Sequence, residues 1–295
     1  MTEQPPLAAR RVDRVQTKQP LGPDAQVDDK ALVVVPGYFQ HTDPFLALAE
    51  DWFSTPGFEW HPHRGIETVT MVLDGVLEHG DNLGHAGALE PGDVQWMTAG
   101  RGIIHRELAF RNEHAHILQL WVNLPAADKL VETRYQDLRH HAQPAHAEPG
   151  VKVQVISGTA AGVAGPALNH HPITGLILTL DPATAYAQLL PADHRAFAFV
   201  LDGRAWIGHR PVEKDQIAWS DPVAPGDGGS VLPLRTPEGD RQTRIMLFAG
   251  RPLGEPVVAG GPFVMNSREE IEQAYRDFHS GRFGQIPRAA RLQTR

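Results

Sequence analysis

The 295-residue chain carries 35 acidic and 27 basic side chains, a formal charge of −8, which disfavours a surface built to coat nucleic acid. Hydrophobic residues make up 41% and charged residues 21%, the composition of a globular chain rather than a disordered one. There is no cysteine, so a disulfide scaffold, a thiolate zinc site and a catalytic thiol are excluded, and a transition-metal site must draw on the 16 histidines and the carboxylates.

The start of the chain is polar, with Arg10, Arg11 and Arg14 as a local basic spot and no secretory leader, so a cytoplasmic location is expected. No apolar run approaches the ~18 residues needed to span a membrane. Short apolar or alternating runs then follow at 31–35, 68–73, 94–97, 117–122, 151–156, 176–180, 197–201 and 245–248, separated by Gly, Pro, Asp and Asn. With 28 Gly and 25 Pro the pattern predicts an all-β protein of short strands. Val72-Leu73-Asp74-Gly75 recurs as Val200-Leu201-Asp202-Gly203, each reading as strand, tight turn, strand, which points to two related domains. The stretch 135–150 is the linker candidate. Ser267 with Glu270 forms a capping box, Ile271, Ala274, Tyr275 and Phe278 follow at helical spacing, and Gly281 stops the run. The tail holds further basic spots at Arg282, Arg288, Arg291 and Arg295.

The chemistry concentrates at two short segments. His61 and His63 are two apart in an extended segment, so both imidazoles point to one face, and Glu67 has the same parity. Past the turn at 90–93, His105 and Glu107 repeat the i, i+2 arrangement. Together they can form a site of three His and one carboxylate that leaves one or two positions open on an octahedral ion such as iron(II). His114-Ala115-His116 has no matching partner pair and reads as a plain strand or loop edge. Gln119 and Asn123 share parity on a predicted strand and are candidates to line the cavity. Trp96, Trp121 and Phe110 read as core, and His79, His85, His140, His141, His170 and His171 as surface or loop residues. Arg106 alternates away from the metal face, toward solvent, a neighbouring loop or the cavity mouth.

Four segments carry a family resemblance: HPHRGIETVT at 61–70, PGDVQWMTAGRGIIH at 91–105, QLWVNLP at 119–125 and GPFVMN at 261–266. They resemble the two cupin motifs and, more closely, the pirin family, over nearly the whole chain. The resemblance implies a bicupin: an N-terminal metal-binding barrel at 20–135, a C-terminal barrel without metal at 145–260, and a helix and tail at 261–295 packing on the body. It implies one divalent transition metal per chain, Fe(II) first with Mn, Ni, Co, Cu or Zn as alternatives, held by His61, His63, His105 and Glu107. Aligning the two Val-Leu-Asp-Gly copies puts Leu189, Pro191 and Arg195 where His61, His63 and Glu67 stand, so the second barrel does not repeat the site. The implied activity is a quercetin 2,3-dioxygenase type of reaction, with a flavonol and dioxygen as partners. Glu107 is the expected base, and Glu67 is the alternative base or a hydrogen-bond partner of a ligand His. The other readings are a non-enzymatic metal-binding regulator that contacts another protein, and other cupin chemistry on a small substrate.

Overall fold

The structure, a computed structural model, describes residues 7–54, 57–225, 228–239 and 241–286, leaving aside the side chain of Asn112. The basic positions Arg288, Arg291 and Arg295 lie outside them. The described residues divide into two compact units, 19–142 with 253–286 and 7–18 with 143–252. Neither unit is one continuous piece of chain: the first 12 described residues join the C-terminal unit, and residues 253–286 join the N-terminal one. Among the described residues no helix is long and apolar enough to cross a membrane.

The N-terminal unit is built from β1 (Asp29–Val34), β2 (Phe45–Phe53), β3 (Phe58–His63), β4 (Ile66–Gly75), β5 (Leu77–Asp81), β6 (Ala86–Leu89), β7 (Val94–Thr98), β8 (Ile103–Ala109), β9 (Ala115–Asn123) and β10 (Arg134–Leu138). One antiparallel sheet runs β10-β7-β4-β9-β2-β1 and ends on the short strand Gln19–Pro20; the other runs β3-β8-β5-β6. The C-terminal unit repeats this plan. It contains β11 (Val151–Ser157), β12 (Ile173–Leu180), β13 (Ala185–Pro191), β14 (Arg195–Asp202), β15 (Gln216–Ser220), β16 (Gly229–Arg235) and β17 (Thr243–Gly250). Seven of the eight apolar runs read from the sequence lie wholly on one of these strands, and the eighth, 31–35, runs one residue past the end of β1. Apart from the short helices, the described residues are all-β, in two units of one plan.

The Val-Leu-Asp-Gly repeat marks equivalent corners, where β4 ends at Gly75 (φ +72°) and β14 turns at Gly203 (φ +78°). A side chain at Gly75 would overlap the His114 carbonyl, so both the left-handed φ and the close approach require glycine. After β18 (Phe263–Met265) comes α1 (Arg268–His279), which starts with the predicted capping box: the Ser267 hydroxyl accepts from the Glu270 amide, and the Glu270 carboxylate accepts from the Ser267 amide. Ile271 and Ala274 face a small core with Ile104, Phe263, Met265 and Phe283. The stretch 135–150 does connect the two units, whose division falls between Ala142 and Gln143, and it is ordered, with Tyr135 on β10, a single helical turn at His140–Ala142 and a short strand at Ala145–Glu148.

Arg10 is a core residue of the C-terminal unit, not a surface basic spot. It is 2% exposed, and its guanidinium donates to the Ser230 hydroxyl (2.8 Å) and to the carbonyls of Pro191 (2.6 Å), His194 (2.7 Å) and Asp221 (3.2 Å). Burial pulls its pKa down to about 10, so it stays charged at neutral pH. Arg10→Met would remove the charged donor from all of these acceptors. Hydrogen bonds to a charged group are worth about 1.5–3 kcal/mol each, so a destabilisation of at least ~3 kcal/mol is expected in chemical denaturation.

A candidate metal centre inside the N-terminal unit

Strand alternation sorts the N-terminal unit's side chains. On β4 the inward row is Ile66, Thr68, Thr70, Val72; on β8 it is Ile103, His105, Glu107, Ala109. On β9, Ile117, Gln119 and Trp121 stand beside Val72, Thr70 and Thr68. Ile66 and Ile103 belong to one apolar cluster, with Trp121 packed against it, and Val72, Ala109 and Ile117 belong to another. Each row is therefore apolar at its ends and polar in its middle. Burying a polar belt between two apolar clusters costs free energy unless its atoms are paired, so the belt is the place to look for function.

Three histidines meet on this belt. His61 stands directly opposite His105 across the β3–β8 pairing, and a bulge follows between His105 and Glu107. The ring centroids are 4.3 Å apart for His61 and His105, 5.0 Å for His61 and His63, and 5.1 Å for His63 and His105. One ring nitrogen from each can be chosen so that all three lie within 4.8 Å of one another. His61 Nδ1 lies 2.7 Å from the Glu59 carbonyl and His63 Nδ1 3.2 Å from the Pro262 carbonyl. A carbonyl can only accept, so each Nδ1 carries the proton and each Nε2 keeps a free lone pair. His63 Nε2 and both nitrogens of His105 are buried with no hydrogen-bond partner among the described residues.

Electrostatics agree. Burial pushes the His63 imidazolium down to about 3, helped by neighbouring His61. Burial also lowers His105 strongly, with His61, His63 and His79 adding to it, and lowers His61. All three are neutral at physiological pH, the form that ligates a cation. Neutral, converging and unpartnered nitrogens fit a divalent transition metal. Among the described residues no comparable group occurs in the C-terminal unit, where Leu189 and Pro191 lie on β13 and Arg195 on β14.

Glu107 shares the inward face of β8 with His105 but is not part of the histidine group. Its Oε2 accepts from Gln119 Nε2 (2.7 Å) and its Oε1 from the Thr70 hydroxyl (3.1 Å). Burial raises its pKa, while these two donors oppose the rise. Gln119 therefore stands on the belt, beside Glu107 and Thr70. Asn123 does not join it: its Oδ1 accepts from Lys129 Nζ at 2.6 Å, and that ammonium also bonds the carbonyls of Gly65 and Val264.

Glu67 is where the sequence parity argument fails. Gly65 (φ +78°) sits between β3 and β4, and a side chain there would overlap the Val264 carbonyl. The turn breaks the alternation that runs through His61 and His63. On β4, Glu67 falls on the face opposite Thr68 and Thr70, buried, with its Oε1 accepting from the Thr98 hydroxyl at 2.7 Å. It cannot partner the ligand histidines from there. Arg106 does point away from the metal face, but toward neither solvent nor a cavity mouth. It is 4% exposed, bonds Glu78 at 2.7 Å and lies over the Trp60 ring.

Other belt residues were missed. Trp121 is at the site, its ring centroid 5.1 Å from that of His63 in an edge-to-face arrangement and its indole donating to Gln119 Oε1. His79, expected at the surface, is 3% exposed and stands beside Glu107 on β5, stacked on Tyr135. His171 is likewise buried, with Nε2 2.6 Å from the Arg251 carbonyl. The spacing His79-x-Asp81 matches His105-x-Glu107 and is the signal that would have found the first of these. By contrast, His114 pairs with exposed Asp74 and His116 stacks on Trp52, as a strand edge would.

Two cupin units, one of them holding a cluster of neutral imidazoles, define a bicupin with a candidate metal centre in its N-terminal half. The Pirin family model matches residues 29–122, and the model of the Pirin C-terminal cupin domain matches residues 176–284. Pirin of Homo sapiens is 41% identical over 247 residues, covering 83% of this chain and 84% of the human protein. A solved structure from Geobacillus kaustophilus is 40% identical with a TM-score of 0.81, covering 85% of this chain and 100% of that one. A quercetin 2,3-dioxygenase from Acinetobacter baumannii is 29% identical with a TM-score of 0.83, covering 95% of this chain and 100% of that one. The chain belongs to the pirin family.

Proposed function

We propose that this chain is an iron(II)-dependent dioxygenase of the quercetin 2,3-dioxygenase type, taking a flavonol and dioxygen. The observation that carries the reading is the triad of neutral imidazoles, two of them buried and His61 half-buried, with a hydrogen-bonded carboxylate, Glu107, on the same strand face as His105. His61, His63 and His105 would hold the ion, with Glu107 as the fourth ligand implied by the family motif. Bound there, iron(II) supplies a Lewis acid for the phenolic oxygens and a redox partner for dioxygen. Glu107 would accept the flavonol hydroxyl proton at a carboxylate oxygen. A base is most effective when its pKa lies near the working pH, and burial moves Glu107 in that direction. Gln119 and Thr70 fix the orientation of the carboxylate, so little reorganisation accompanies proton transfer. The apolar clusters on either side of the belt limit the polar surroundings of the reacting centre to the residues of the belt itself. The likeness to the Acinetobacter enzyme supports the choice of substrate.

The test is to load the protein with iron(II) under anaerobic conditions, add quercetin, and admit air. Loss of the flavonol absorbance with matching dioxygen uptake is the expected result. A fully iron-loaded protein that takes up no dioxygen with any phenol would sink the dioxygenase reading and favour a regulator that binds metal without turnover.

A further inference from the structure

We infer that the C-terminal strap, residues 262–283, is a positioning element of the metal centre, so that metal retention and strap docking are linked. The inference goes beyond the proposed activity and holds for any divalent ion in the triad.

The strap reaches the centre directly. The Pro262 carbonyl receives the Nδ1 proton of His63, and it is the one hydrogen-bond partner of that ring among the described residues. It therefore selects the tautomer that presents Nε2 to the ion. The next contacts continue the attachment: Phe263 bridges to Arg64, and the Val264 amide donates to the Arg64 carbonyl at 3.1 Å, one residue after His63. Lys129 ties the Val264 carbonyl to that of Gly65.

The far end of the strap is latched to both strands that carry the histidines. Arg64, following β3, bonds Asp277 on α1 at 2.9 Å, with both side chains mostly buried, and its guanidinium lies 4.5 Å from the Phe283 ring centre. Phe283 also fills the space over Gly102, just before β8, where a side chain would strike the ring. The Phe283 carbonyl accepts from Asn82 Nδ2 at 2.5 Å, and Asn82 Oδ1 accepts from the Ile104 amide at 3.0 Å, next to His105. Undocking the strap would release His63's partner and loosen both histidine strands at once. Linkage is reciprocal: if docking favours the ion by some factor, the ion favours docking by the same factor.

Two measurements test this on the full chain, with zinc(II) as the probe. The first is the rate of zinc release to a chromogenic chelator from the parent, Asp277→Asn and Phe283→Ala. Loss of a partner that orients a ligand typically costs 10–100-fold in metal affinity, and about tenfold faster release is expected from each latch variant. Asp277→Glu, which keeps the charge for Arg64, should restore slower release. Leu178→Ala in the core of the C-terminal unit controls for stability, lowering the melting temperature without changing release. The second needs no variant: amide exchange across 263–283 should slow on zinc loading, first at Val264. Release unchanged in both latch variants, or strap exchange indifferent to zinc, would overturn the inference. Since neither readout involves turnover, failure of the dioxygenase reading leaves the outcome intact.

Discussion

Glu107→Gln should fold, keep much of its metal and lose about two to four orders of magnitude in flavonol turnover. The substitution is nearly isosteric, and an amide oxygen can still accept from Gln119 or Thr70, whose donors now meet Oε2 and Oε1. The amide cannot take a proton near neutral pH. General-base assistance, worth about 10²–10⁴-fold, therefore disappears. Metal affinity falls by less, because three uncharged imidazoles remain. Glu67→Gln is the contrast. Glu67 stands on the other face of β4 against Thr98, so turnover per bound metal should stay within a few-fold of the parent. The measurement is turnover per bound iron for the parent and both variants. A Glu107→Gln enzyme at the parent rate would remove Glu107 as the base, and a dead Glu67→Gln enzyme with full metal beside it would assign that role to Glu67 in spite of its position.

The contrast between these two glutamates shows how far the sequence could be read. Strict alternation holds within a strand, so His61 with His63, and His105 with Glu107, were legible as pairs from spacing alone. It does not hold across a turn. Gly65 resets the face between β3 and β4, and nothing in the local string says whether a glycine continues a strand or ends one. Thr70 and Gln119 could not be assigned to Glu107 because that contact depends on three strands distant in sequence. The polar middle of each inward row was hidden for a related reason: His79 and Asp81 look like ordinary polar residues near a turn until the β5–β8 register places them beside Glu107 and His105. The capping box of α1 was legible because every interaction in it is local. The partner of His63 was not, since Pro262 lies 199 residues away and acts through its backbone.

His105→Leu should abolish metal binding while leaving the metal-free protein as stable as the parent or more so. His105 is 1% exposed, and neither ring nitrogen has a partner among the described residues. A buried, unpaired polar group costs about 1–3 kcal/mol, and an apolar side chain of similar volume removes that cost. The metal-free parent thus carries a destabilised site that an ion repays. An ion at 100 times its dissociation constant stabilises the folded state by about 2.7 kcal/mol, and the variant should forgo all of this. Two melting curves decide it, each with and without added metal. The parent should melt higher with metal; the variant should be indifferent to metal and match or exceed the metal-free parent. His61→Ala should also lose metal, but His61 is half-buried and already bonded to the Glu59 carbonyl, so its removal brings no comparable gain in the metal-free state. A metal-dependent shift that survives in His105→Leu would remove His105 from the ligand set. A metal-free His105→Leu protein that melts well below the parent would instead mean that the His105 ring serves the barrel's packing, and that the unpartnered nitrogens carry no stored cost.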